Sequence, residues 1–80
     1  PKHYVFQSLQ EHKISFIPFS EKVTALSLEG FQYNLSAHTL RRGETLCHGN
    51  TILKEKASVH FEEGLLLAVL KNKKTLSQKE

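Results

Sequence analysis

The segment Ala57-Ser58-Val59-His60-Phe61-Glu62-Glu63-Gly64-Leu65-Leu66-Leu67-Ala68-Val69-Leu70-Lys71 constrains this chain more than any other. It reads as an extended strand, a turn closed by Gly64, and then an unbroken apolar run from Leu65 to Leu70 that Lys71-Asn72-Lys73-Lys74 stops. Such a run is far short of the roughly 20 residues that cross a bilayer. It suits a strand buried on both faces, or about one and a half turns of buried helix. The Glu-Glu-Gly turn selects the strand. The hairpin is therefore expected to be the core of an all-β domain, with Leu65–Leu70 as its buried closing strand.

The rest of the chain repeats the pattern. Residues 3–9 favour a strand, with Tyr4 and Phe6 on one face and Val5 on the other. Residues 13–19 put Ile14 and Phe16 in phase, and Pro18, which lacks a backbone N–H, marks an end or an edge of that strand. Residues 20–30 are ambiguous. Ser20 and Gly30 could bracket a short helix, but Thr24, Leu26 and Leu28 alternate, and Glu29-Gly30 could turn the chain into a second strand. The hairpin is preferred, with Phe31, Tyr33, Leu35 and Ala37 pointing inward. Arg41 to Glu44 then forms a turn, Thr45 to His48 a short strand, Gly49-Asn50 another turn and Thr51 to Lys54 its return. The sum is about seven short strands at hairpin spacing, which means a β-sandwich or a small barrel.

Length limits what these strands can do besides pack. Eighty residues make one small domain, close to the size below which a single core needs metal or disulfide staples. Most of the five Phe and two Tyr must therefore be used in packing. Cys47 is the only cysteine, which excludes an internal disulfide and points to a reducing compartment. A chain opening on Pro1-Lys2-His3, with no signal-like apolar region, is expected to be a monomeric fragment of a larger protein. The formal charge of +3 is mild, with Lys and Arg dense only at Arg41-Arg42 and Lys71-Lys73-Lys74. Absence of any Asp removes half of the usual carboxylate supply for acid–base or metal chemistry.

Candidate chemistry is correspondingly thin. Cys47 and His48 are adjacent and so face opposite ways in a strand, and neither C-x-x-C nor H-x-x-x-H occurs to anchor a tetrahedral metal site with His38 or His60. Cys47 has no orienting third group at readable spacing and is read as a half-buried strand thiol, not a nucleophile. Gly30, Gly43, Gly49 and Gly64 fall one per turn, and neither G-x-G-x-x-G nor G-x-x-x-x-G-K is present to cradle phosphate. No catalytic residue, metal ligand or cofactor is expected. What remains is an interaction module that takes a partner peptide at a sheet edge or face. The alternative is a small basic β-barrel that stacks single-stranded nucleic acid on exposed aromatics, with a small hydrolase a distant third.

Several pieces together resemble the CS domain, the β-sandwich of co-chaperones of the p-twenty-three and Sgt classes, related to the alpha-crystallin domain. His3-Tyr4-Val5-Phe6-Gln7-Ser8 resembles its opening strand, Lys13 to Phe19 the second, Tyr33 to Ala37 a strand with Leu-Ser at its centre, and Gly43 to Cys47 the strand after its loop. Lys56 to Phe61 followed by Glu62 to Lys71 resembles its closing pair. The resemblance implies an all-β, seven-stranded antiparallel β-sandwich of the CS/alpha-crystallin type over residues 1–74, with a polar tail at 75–80. It also implies a non-enzymatic adaptor, cytoplasmic or also nuclear. The expected partner is a heat-shock chaperone of the ninety-kilodalton class or another co-chaperone, and neither nucleic acid nor membrane. Tyr4, Phe6, Arg41, Arg42, Lys71 and Lys73 are the candidate partner-binding residues.

Overall fold

A computed structural model describes residues 2–71. Among these, every regular element is a strand: β1 (Lys2–Gln7), β2 (Lys13–Pro18), β3 (Lys22–Glu29), β4 (Leu35–Arg41), β5 (Asn50–Thr51), β6 (Lys56–Phe61) and β7 (Leu66–Lys71). They form two antiparallel sheets, one in the order β1-β6-β3-β4 and the other in the order β5-β2-β7. The all-β expectation holds at this level.

Alternation places the core. Ile14, Phe16 and Pro18 on β2, and Ala57, Val59 and Phe61 on β6, are buried, while the residues between them are only half-buried, as the two-residue period of a strand requires. Val23, Leu26, Leu28 and Leu40 of β3 and β4, with Phe31, Cys47 and Ile52 from the connections, complete one cluster shared by both sheets. Phe16 and Phe31 meet edge to face at 5.7 Å within it, the geometry that aromatic quadrupoles favour.

Within residues 20–30 the chain forms strand β3 from Lys22 to Glu29, and the helical alternative is set aside. The β3–β4 pair is irregular, with register shifts at Val23/Leu26 and Leu26/Leu28. Ala25 and Ala37 take φ of 55° and 50° there, a region that costs a residue with a Cβ. Two glycines are required by close approach. At Gly30 a Cβ would lie 2.9 Å from the Ala57 Cα, and at Gly64 it would lie 2.5 Å from the Lys22 carbonyl oxygen.

Three expectations about strands need correction. Leu65–Leu70 is not a buried closing strand: Leu65 is 56% exposed, and Leu67, Val69 and Leu70 are all above 40%. Strand β7 pairs only with β2 and is an edge of its sheet, so an apolar run read as doubly buried has its outer side open. The strand expected from Phe31 begins only at Leu35, because the Asn34 carboxamide accepts the Phe31 N–H at 3.0 Å and closes a turn. Tyr33 and Ala37 consequently lie outward, not inward. Thr45–His48 forms no strand either; it turns, with the His48 N–H donating to the Thr45 carbonyl at 3.0 Å. The polar tail expected at 75–80 lies outside the described residues.

Candidate functional site

Asn50 organises one recess of the fold, beside the 31–34 connection. It is 97% removed from solvent, and burial of a carboxamide is tolerated only when its donors and acceptors are matched. Its Oδ1 accepts the Tyr33 N–H at 3.0 Å and the Thr51 N–H at 2.9 Å, while its Nδ2 donates to the Tyr33 carbonyl at 2.8 Å. A backbone bond from the Gln32 N–H to the Thr51 carbonyl, 2.8 Å, adds a second stitch. The 31–34 connection is thereby locked to β5. The Tyr33 backbone is held while its side chain is left free, and the residue is 63% exposed.

The facing wall is the 45–48 turn. The Cys47 carbonyl accepts the Phe16 N–H at 3.0 Å and the Gly49 N–H donates to Ser15 Oγ at 2.9 Å, which ties both ends of the turn to β2. Cys47 points into the core, whereas Leu46 and His48 are exposed. Burial, with a contribution from the Glu44 carboxylate, pushes the Cys47 thiol up to about 11. At neutral pH it is a protonated, apolar wall residue, placed in a turn and not on the strand the sequence suggested. Thiolate nucleophilicity is lost in such a setting.

Between these walls lies a cleft of about 410 Å³ lined by Leu28, Tyr33, Asn34, Leu35, Leu46, Cys47, His48 and Asn50. Among the described residues that line it there is neither a carboxylate nor a Lys or Arg. The exposed Tyr33 ring offers a π face, and His48 and the Asn34 amide offer hydrogen bonds at the rim. An aromatic face without a competing cation suits a flat, positively charged heterocycle. A second cleft of similar volume opens between the inner faces of β1 and β7, lined by Tyr4, Phe6, Phe16, Phe61, Leu66 and Ala68 among others. There the cation is already supplied: Lys2 Nζ lies 5.7 Å from the Phe61 ring centroid.

The sequence-derived candidates are scattered. Tyr4 and Phe6 share the inner side of β1 and line the β1/β7 groove. Arg41 ends β4 opposite Lys22. Arg42 follows it, with its Nη2 donating to the Phe19 carbonyl at 3.1 Å. Lys71 ends β7 opposite Lys13, and Lys73 lies outside the described residues. The structure brings Tyr4 and Phe6 together and leaves Arg41, Arg42 and Lys71 elsewhere. It also shows a group that the sequence reading missed: Tyr33, Leu46, His48 and Asn50. The available signal was an asparagine at a turn, read as turn chemistry alone, with its tie to Tyr33 invisible in one dimension. No cluster of three or more metal-ligating side chains occurs among the described residues.

Two antiparallel sheets with an aromatic-walled cleft give the architecture of a small all-β module. The chain belongs to the family described as thiamin pyrophosphokinase, vitamin B1 binding domain, whose model matches residues 2–66. It is 39% identical over 56 residues to the thiamine pyrophosphokinase of Bacillus subtilis (strain 168), an alignment that covers 70% of this chain and 26% of that protein. The crystal structure of thiamine pyrophosphokinase from Bacillus subtilis superposes with a TM-score of 0.82 at 33% identity, over 90% of this chain and 34% of that one. The crystal structure of the Geobacillus thermodenitrificans thiamin pyrophosphokinase gives 0.77 at 29% identity, over 95% and 35%. The chain thus spans about a quarter to a third of the length of these relatives.

These findings overturn the CS-domain resemblance and with it the co-chaperone adaptor, the chaperone partner and the non-enzymatic assignment, since the relatives are enzymes by name. The CS motifs that suggested it, an aromatic opening strand and a Ser strand followed by an aliphatic one, are general features of strands with a turn between them. Binding of single-stranded nucleic acid has no support either. No helix among the described residues is long and apolar enough to cross a membrane, and nothing favours a nuclear location.

Proposed function

We propose that this chain is the thiamine-receiving module of a thiamine pyrophosphokinase, and that thiamine enters the cleft between Tyr33 and the 45–48 turn. The observation that carries the reading is a cleft lined, among the described residues, by no fixed charge and walled on its exposed side by Tyr33. Thiamine combines a flat aminopyrimidine, which can hydrogen-bond with His48 and the Asn34 amide, with a cationic thiazolium, which an aromatic face attracts by about 0.5–2 kcal/mol. The β1/β7 groove suits the ligand less well, because Lys2 would repel the thiazolium.

A pyrophosphokinase must also hold a phosphate donor. This chain has no glycine-rich phosphate loop, so the reading assigns the donor and the transfer step to the remainder of a longer protein. Residues 1–74 act as one domain and 75–80 as its polar tail, in keeping with a family match over 2–66 and a last strand that ends at Lys71. Tyr4, Phe6, Arg41, Arg42, Lys71 and Lys73 then serve as contacts with that remainder in place of a chaperone. The unpaired Cys47 supports a cytoplasmic site of action.

Equilibrium dialysis of thiamine against the chain tests the placement. Saturable binding is expected, weakened about tenfold by Tyr33→Ala, the range of a lost cation–π contact, with the fold intact by circular dichroism. Tyr4→Ala should leave binding unchanged. The opposite pattern would move the ligand to the β1/β7 groove.

A further inference from the structure

The register of β1 against β6 sets His3 directly opposite His60. Lys2, Tyr4 and Phe6 stand across from Phe61, Val59 and Ala57 on the inner side of the sheet, so the two histidines share the outer side. His3 is exposed and His60 half-buried. Their ring centroids are 5.9 Å apart with an interplanar angle of 77°, and neither ring hydrogen-bonds to another described residue. Next across the sheet from His60 is Ser27, so no charged side chain directly opposes the pair from β3.

Imidazole nitrogens bind Zn²⁺ at about 2.0–2.1 Å, which puts each ring centroid about 3.2 Å from the metal by ring geometry. Two rings at a tetrahedral angle around one ion would then stand about 5.2 Å apart. The observed separation differs from this by less than 1 Å, within the reach of small χ rotations. We propose that His3 and His60 form a two-imidazole chelate for a borderline divalent transition metal such as Zn²⁺, Ni²⁺ or Cu²⁺ on the outer face of the four-stranded sheet. Water completes the coordination, since no cluster of three ligating side chains is present among the described residues. Imidazole donors select these ions over Mg²⁺ and Ca²⁺, which prefer oxygen. The site is separate from the Tyr33 cleft, and the proposal stands whether or not thiamine binds there.

Calorimetric titration of the chain with ZnCl₂ tests it. One Zn²⁺ per chain is expected, undiminished by excess Mg²⁺. His3→Ala and His60→Ala should each weaken binding about tenfold, typical of directly coupled pairs. The double variant should be no weaker than either single one, because one remaining imidazole is no longer a chelate. His12→Asn serves as the control histidine, and circular dichroism verifies the fold of every variant. Zn²⁺ binding of parental affinity in the double variant, binding that depends on only one of the two histidines, or binding that Mg²⁺ displaces would overturn the proposal.

Discussion

Replacing Asn50 with Ala strikes the point where fold and cleft share one side chain. Three hydrogen bonds disappear: two accepted by Oδ1, from Tyr33 and Thr51, and one donated by Nδ2 to the Tyr33 carbonyl. At about 1 kcal/mol net for each, the loss is about 3 kcal/mol. The total stability of an 80-residue domain is roughly 4–12 kcal/mol, so the variant should stay folded at low temperature. Its melting temperature should fall by about 12–24 °C, at roughly 4–8 °C per kcal/mol for a domain of this size. Urea unfolding followed by far-ultraviolet circular dichroism gives the free energy, and hydrogen exchange at the Tyr33 amide gives the local effect. Asn50→Asp sharpens the test. An ionised Asp keeps the acceptors but cannot donate to the Tyr33 carbonyl, whereas a protonated one can. At neutral pH Asn50→Asp should therefore be less stable than the parent in the same unfolding assay, having lost the bond to the Tyr33 carbonyl. If Asn50→Ala lies within about 0.5 kcal/mol of the parent, the range of a neutral surface change, the stitching role given to Asn50 is wrong.

Gly64→Ala should destabilise by about 2–4 kcal/mol in the same unfolding assay, since the added Cβ meets the Lys22 carbonyl at 2.5 Å on a residue with φ of 116°. Ala37→Gly should do the reverse, raising stability by about 0.5 kcal/mol, because relief of the left-handed backbone exceeds the entropy cost of glycine. Cys47 should react with iodoacetamide at pH 7.5 only at the rate of global unfolding, while its reactivity in urea is that of a free thiol. With the folded thiol raised from 9.0 to about 11, its contribution to stability is complete below pH 9 and disappears as pH climbs towards 11. A Cys47→Ala chain should lack that part of the alkaline loss.

Strand periodicity was legible wherever one face is buried and the other is wet. Ile14 and Phe16, or Ala57, Val59 and Phe61, report their own geometry because each is set against a polar neighbour. The Leu65–Leu70 run was misread for the converse reason. Uniform apolarity carries no phase, and an edge strand destined to meet something else looks the same as a doubly buried one. Tyr33 was misplaced by a local competitor: the carboxamide of Asn34 captures the Phe31 N–H and turns the backbone before the alternation can act. The cleft was illegible because its walls come from residues 33–35 and 46–50, joined by Asn50 across 17 positions. The CS resemblance failed on the same ground, since turn spacing and strand alternation define a β class and not a ligand.

Chemical-shift mapping of the ¹⁵N-labelled chain during a thiamine titration tests the central claim most directly. The account predicts saturable shifts centred on the amides of Tyr33, Asn34, Leu46, His48 and Asn50, with Tyr4, Phe6 and Leu66 unmoved. Saturable shifts confined to β1 and β7, or no saturable shift at the Tyr33 cleft, would contradict it.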